Sequence, residues 1–538
     1  MPRIPHGATI PLNKFREARE DTARRSADAP LAFVTTQPVD LQDFDFMFPK
    51  LQNNAASLLP ESRETRDNLV RLGRTMRETV SDDPAGDSNI PALFTYFGQF
   101  IDHDITLETV SAELGQLLDP DLTPLTLEEI REKIRNARTA TLDLDSVYGL
   151  PAPRSGEKMV LGQVTPLNGA QKPLLRPPSK DDDSDLPREP RSEDITHDRA
   201  ALIGDPRNDE NTIVAQLHLA FLRAHNALVK QGNSFDQARR LLRQHYQHIV
   251  IHQFLKQVAD KRVVNDILKN GNRFYDAMTE PFFMPLEFAV AGYRFGHSMV
   301  RGAYDFNLNF NTSGEQGTRP ATLGFLFVFT ALSGQLGFGE GTDTLPDNWI
   351  IEWENFVGEG TRAQNARRLD PKLVEPLFQL QDLEGNVVPG DGARLAVRNL
   401  LRGYLLRMPT GQAVARAIGE TPLTPAEILE VAETIQPPEG EESQATVLRE
   451  AGFLRRTPLW YYILAEASAR ARGNHLGPVG STIIAEVLIG LVRRSEDSIL
   501  RVKGKWKPSL PSAKPNEFTL ADLLRLAGVL QGGKRRAK

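Results

Sequence analysis

The chain has 538 residues, an apolar share of 40%, a charged share of 25% and a net charge of −6, values ordinary for a soluble globule. Acidic and basic residues are interspersed and no basic stripe follows one helix face, which argues against a nucleic-acid partner. There is no cysteine, so disulfides, zinc thiolates, thiol catalysis and thiolate ligation of haem are excluded.

The start of the chain, residues 1–14, lacks the apolar run of a signal peptide. The apolar stretch at 483–492 is too short and mixed to span a membrane. The compartment stays open: the cytoplasm, or outside the cell by a signal-independent route. No Gly/Ser linker or repeat period divides the sequence, which predicts one large domain over 44–538 behind an N-terminal extension, 1–43.

Residues before about Asn89 read as irregular with short helical pieces, one of them over 61–80. Helical patterning begins at 90–104, and 128–138 reads as a charged surface helix. Residues 139–149 read as an extended loop. Residues 150–203, rich in Pro and charge, read as a long covering loop. Apolar residues at helical spacing then predict helices over 212–231, 235–263, 285–300, 346–356, 392–406, 425–435, 458–472 and 480–494. Short β pieces are suggested only near 159–164 and 304–310. The class is mainly α.

Four polar pairs sit three or four residues apart in predicted helical stretches: Gln99/His103, Arg207/Glu210, Arg294/His297 and Asn399/Arg402. Such spacing places both members on one helix face. Spacing alone fits surface or satisfied core groups equally well.

The stretches that carry these pairs are Gly98 to Asp104 (GQFIDHD), Gly204 to Glu210 (GDPRNDE), Tyr293 to His297 (YRFGH) and Arg398 to Arg402 (RNLLR). They resemble, in order and separation, the haem-pocket motifs of the animal-type, ester-linked haem peroxidases of the peroxidase-cyclooxygenase superfamily. The tail stretches PLWYYIL and LGPVG resemble its bacterial branch. The resemblance runs from roughly Phe44 to the C-terminus. It implies a large helical fold with little β and with haem buried between core helices.

The resemblance also implies roles. His103, Gln99 and Arg207 would be the distal trio. A neutral His103 can take a proton from hydrogen peroxide and return it, and Arg207 can stabilise developing charge. His297 would ligate the iron, with the Asn399 amide accepting from its other ring nitrogen. Arg294 and Arg402 would serve the haem propionates or hold the pocket. Asp102 and Glu210 would form ester bonds to haem b. Asn211 stands where some relatives carry a methionine, so no sulfonium link is expected.

The same resemblance assigns calcium to Asp104, Thr139, Thr141 (through its carbonyl), Asp143 and Asp145. An oxygen-rich set of this kind suits a hard cation. Polar alternation by itself would also fit an exposed strand. His248 and His252 read as structural, and His218 and His225 as helix packing.

The implied activity is oxidation of halides, thiocyanate or small aromatic donors such as phenols by hydrogen peroxide. Two rivals are a fatty-acid dioxygenase and a non-enzymatic haem-carrying adhesion module. Arg294 occupies the place where cyclooxygenase-like relatives carry a radical tyrosine, which counts against the first. The complete distal trio counts against the second.

Overall fold

The computed structural model describes residues 10–11, 32–33, 41–78, 83–110, 117–166, 182–331, 343–382 and 385–531. Most of the expected N-terminal extension lies outside these residues, as do 167–181 of the covering loop and the end of the 61–80 segment.

Strong caps set several helix starts. Ser62 accepts from Thr65 N to begin the Arg63–Thr75 helix, and Asn211 accepts from Val214 N to begin Thr212–Lys230. Ser234 and Gln237 form a reciprocal capping box for Phe235–Ile249. Each such cap contributes about 1 kcal/mol.

The Leu93–Ile105 helix has no side-chain cap and is held by packing. Phe100 stacks on Phe221 of the Thr212–Lys230 helix at 4.5 Å. Phe97 meets Tyr246 of the Phe235–Ile249 helix edge-on at 6.1 Å. Such pairs are worth roughly 0.5–1.5 kcal/mol beyond their buried area. Three helices therefore fix the face that carries Gln99 and His103.

A second packing layer sets the other motif-bearing elements. The Leu395–Leu405 helix, which carries Asn399 and Arg402, lies against Arg63–Thr75. A Cβ at Gly73 would sit 2.7 Å from the Val397 Cα, so only glycine permits this approach. The Leu459–Ala471 and Pro478–Arg494 helices are buried along most of their length. One continuous cluster of buried apolar side chains runs from Phe44 to Leu530.

β structure is sparse. The largest sheet orders Ile10–Pro11, Glu108–Val110, Ile134–Asn136, Gln42–Asp45 and Phe283–Pro285. Among the described residues no helix is long and apolar enough to cross a membrane.

The chain departs from the sequence expectations in several places. The predicted 285–300 helix is instead a π-turn, Glu287–Ala291, followed by a 3-10 segment, Gly292–Met299. The Ala291 backbone (φ −130°) breaks the α-helix, and a Cβ at Gly292 would sit 2.6 Å from Ile483. The 128–138 helix stops at Lys133, because Ile134–Asn136 joins the sheet between Glu108–Val110 and Gln42–Asp45. The 235–263 helix breaks after Val258, where Asp260 caps the separate Lys261–Asn270 helix. Arg207 lies in a short 3-10 turn, Pro206–Asp209, with Glu210 at its end. The 139–149 loop is not extended throughout: Asp145–Tyr148 forms a helical turn. Of the expected 159–164 strand only Met159 lies in one, the short Lys158–Met159, which pairs with Pro153–Ser155. The 304–310 strand shrinks to Ala303–Tyr304, since Phe306 and Phe310 close a turn.

Candidate active site

One cavity gathers Gln99, Asp102, His103, Arg207, Glu210, Arg294 and His297. Asn399 and Arg402 stand behind its wall rather than on it.

His103 is 5% exposed. Its Nδ1 lies 2.8 Å from Asn208 Oδ1, which leaves Nε2 as the ring nitrogen able to serve the cavity. Burial, and then the neighbouring Arg207 guanidinium, push the imidazole below its ordinary pKa. The ring is therefore neutral at neutral pH and able to accept a proton.

Arg207 is held by a two-point fork to Asp205: Nε donates to Oδ1 at 3.0 Å and Nη2 to Oδ2 at 2.7 Å. Nη2 also donates to the Thr106 carbonyl at 2.5 Å. Asp205 caps the same turn by accepting from Arg207 N at 2.9 Å and makes a buried ion pair with Arg138. Burial alone would raise the Asp205 carboxyl, but Arg138 and Arg207 together hold it well below the usual carboxylate range. The guanidinium thus reaches the cavity with its orientation fixed.

Gln99 donates to Glu210 and accepts from Asn211 Nδ2 at 3.2 Å. Asp102 accepts from the Thr106 hydroxyl at 2.9 Å. Both carboxylates expected to bond a cofactor therefore face the same space as His103.

His297 sits in the 3-10 segment, where residues three apart eclipse, so Arg294 and His297 share a face despite the missing α-helix. Asn399 approaches His297 Nδ1 at 2.9 Å through its amide nitrogen. The expectation was the reverse, an amide oxygen accepting from Nδ1–H. The reason is Arg294: a guanidinium only donates, and its Nη1 takes the Asn399 oxygen at 3.0 Å. Arg402 pairs with Glu108, a cavity residue, and burial pushes its pKa down to about 10.

The acidic loop folds back on the same helix. Asp104, fully buried, accepts from Leu144 N and Ser146 N, both at 3.2 Å. The Thr139 hydroxyl donates to Asp145 at 2.6 Å and the Thr141 hydroxyl to Asp143 at 2.6 Å. Left-handed backbone at Ala140 and Leu144 makes the turn. Burial and then Asp145 raise Asp104 to about 7. Burial, Asp145 and Asp104 raise Asp143 as well. Asp145 thus acts on both Asp104 and Asp143 as a like charge inside the protein. Among the described residues no three His, Cys, Asp or Glu side chains are grouped to hold a metal by themselves. Threonine and carbonyl oxygens would have to complete the set.

Residues 121–325 match the family model for animal haem peroxidases. That match covers well under half of the chain, and over this stretch the chain is similar to that family. The matched stretch includes the acidic loop, Arg207, Glu210 and His297, and stops short of the His103 and Asn399 helices. A peroxidase-like protein of Margaritifera margaritifera is 27% identical over 48% of this chain and 38% of its own length. A peroxidasin homologue of Caenorhabditis elegans is 28% identical over 31% of this chain and 13% of its own length. The chain thus spans well under half of the curated relatives it matches.

Among solved structures, peroxidase A of Dictyostelium discoideum superposes with a TM-score of 0.54, 17% identity and coverage of 88% and 90% of the two chains. The fatty acid α-dioxygenase of Arabidopsis thaliana gives 0.52, 14%, and 88% and 74%. These likenesses establish the mainly α fold.

Sequence reasoning missed several site residues. Asp205 and Asn208 lie inside the Gly204–Glu210 motif, but only the packed turn shows that they hold Arg207 and His103. Glu108 had no signal at all. Tyr293 lines the cavity with a buried hydroxyl that has no hydrogen-bond partner among the described residues. His225 is indeed tied into the packing, through Tyr148 and the Glu157 carbonyl. The His248 and His252 rings lie tilted against each other at 4.6 Å, with His248 beside Trp506, and neither lines this cavity.

Proposed function

We propose that this chain is a haem peroxidase that uses hydrogen peroxide to oxidise halides, thiocyanate or small aromatic donors such as phenols. The observation that carries the reading is the convergence of a neutral buried His103, a fixed Arg207 and His297 on one cavity.

His297 would hold the iron through Nε2, which puts its ring proton on Nδ1; the Asn399 amide would then turn its oxygen to Nδ1, the reverse of its orientation toward Arg294 in this structure. Bound haem supplies the electrons that reduce peroxide and recovers them from the donor. His103 Nε2 takes the proton of the incoming peroxide and delivers it to the departing oxygen. The Arg207 guanidinium stabilises the charge that develops as that oxygen leaves. Gln99 positions peroxide or an anion beside them.

Asp102 and Glu210 would ester-link haem b. Asn211 supplies no thioether for a further bond. Asp104, Thr139, Asp143 and Asp145 side chains, with the Thr141 carbonyl, would hold one calcium. That ion would brace the helix carrying His103 and would not take part in the reaction. Arg294 would serve a propionate. Arg402 would hold the wall through Glu108. Residues 44–538 would act as one domain.

Rapid mixing with hydrogen peroxide tests the reading. In His103→Ala the reaction with peroxide should slow by roughly 10²–10⁴-fold. In Arg207→Ala it should slow by roughly 10²–10³-fold. Haem content should be retained in both. An unchanged peroxide reaction in His103→Ala would overturn the mechanism.

Tyr293 on the cavity wall keeps fatty-acid dioxygenation as the second reading, because that chemistry needs a tyrosine near the haem. Arg294 at the position three before His297 weighs against it. Rapid oxygen uptake with a fatty acid, alongside negligible donor oxidation, would favour the dioxygenase.

A further inference from the structure

We propose that Asn208 and His218 are positioning residues that select the reactive tautomer of His103; this rests on the peroxidase reading given above. Asn208 and His218 are both fully buried. The chain of contacts runs from His103 Nδ1 to Asn208 Oδ1 at 2.8 Å, and from Asn208 Nδ2 to His218 Nδ1 at 3.0 Å.

The two ends of a carboxamide differ: its oxygen only accepts and its nitrogen only donates. His218 Nδ1 has no proton to give if it accepts from Asn208, so it claims the amide nitrogen. The amide oxygen is thereby turned toward His103. An oxygen facing His103 Nδ1 requires the proton to sit on Nδ1. The lone pair then lies on Nε2, the only ring nitrogen left to serve the cavity. A neutral imidazole with its proton on Nε2 could not accept one from peroxide.

Local structure makes the chain possible. Arg207 and Asn208 are consecutive in the Pro206–Asp209 turn, so they point about 120° apart. Arg207 faces the cavity, and Asn208 faces the space between the Leu93–Ile105 and Thr212–Lys230 helices. Asp205 fixes the turn, since its carbonyl accepts from Asn208 N at 3.1 Å. His218 is wedged edge-on against Phe100 at 6.1 Å, in the same packing that holds the His103 helix.

His218 is not explained by packing alone. Among the described residues its buried Nε2 has no hydrogen-bond partner, a cost that an apolar residue would avoid. Burial keeps the ring neutral, its pKa lowered to about 3, so Nδ1 remains an acceptor.

The test uses the full chain with histidine labelled in its ring nitrogens. Heteronuclear NMR is run with and without zinc protoporphyrin, a diamagnetic stand-in for haem. Wild type should show His103 protonated on Nδ1 and His218 protonated on Nε2. In Asn208→Leu the His103 proton should move to Nε2, and the haem-loaded variant should react with peroxide at least about tenfold more slowly, toward the His103→Ala value. His218→Leu should shift the tautomer in the same direction. His218→Gln, whose side-chain oxygen can accept from Asn208, should restore both readouts. Asn208→Asp keeps an acceptor at His103 and should keep its Nδ1 proton even if Asn208→Leu fails to fold.

An unchanged His103 tautomer in Asn208→Leu or His218→Leu would overturn the proposal, as would a His103 proton found on Nε2 in wild type. If His103→Ala itself leaves the peroxide reaction unchanged, the peroxidase reading falls, while the NMR result still decides the relay separately.

Discussion

Removing the Asp205 carboxylate should be among the most damaging single changes in the site. Asp205 is fully buried, and its oxygens serve two guanidiniums: Arg207 by a two-point fork and Arg138 by an ion pair. Asp205→Ala leaves both cations buried without a carboxylate, and breaking a buried pair costs about 3–5 kcal/mol. Loss of the cap on the Pro206–Asp209 turn adds about 1 kcal/mol. By contrast, Glu433 pairs with Arg449 where both side chains are half exposed, so Glu433→Ala should cost no more than about 1 kcal/mol. Urea unfolding followed by circular dichroism, compared at equal slope, measures both.

The pH dependence has a definite sign. The folded carboxyl titrates well below its ordinary 3.8. Its contribution is therefore fully present above that value and is lost as pH falls through the folded pKa. The difference between wild type and Asp205→Ala should be flat across neutral pH and shrink only in strong acid. A loss below about 1 kcal/mol in Asp205→Ala would refute the claim that this carboxylate anchors Arg207.

Other outcomes follow from the same geometry. His297→Ala should lose most haem and Soret absorbance; haem content and a spectrum like wild type would contradict the ligand assignment. After treatment with peroxide, acid-acetone should fail to extract haem from wild type and should extract it from Asp102→Asn combined with Glu210→Gln; free extraction from wild type would disprove the ester links. In chelator-treated protein, stability should fall as pH rises from 3.8 toward about 7, because folded Asp104 holds its proton in that window and the unfolded chain does not. Added calcium should raise the melting temperature most at the upper end of that window, and no response to calcium there would remove the site.

The histidines and acids of the four motifs were legible in the sequence because their spacing survives a change of helix type. Arg294 and His297 share a face in the 3-10 segment as they would in an α-helix, so the pairing was right although the predicted helix was not. The helices that begin after Asn211 and Ser234 could be placed because apolar residues at helical spacing are a pattern among neighbouring residues alone.

Tertiary structure decided what depends on residues far apart in the chain. Ile134–Asn136 became a strand because two sheet edges were available, overriding its helical neighbours. The Asn399 amide turned its oxygen to Arg294, 105 residues away in sequence. Asn208 found His103 across a similar separation. Composition and periodicity report what a residue can do alone or with its helical neighbours. Which donor claims which acceptor is settled only when burial removes water as the alternative partner.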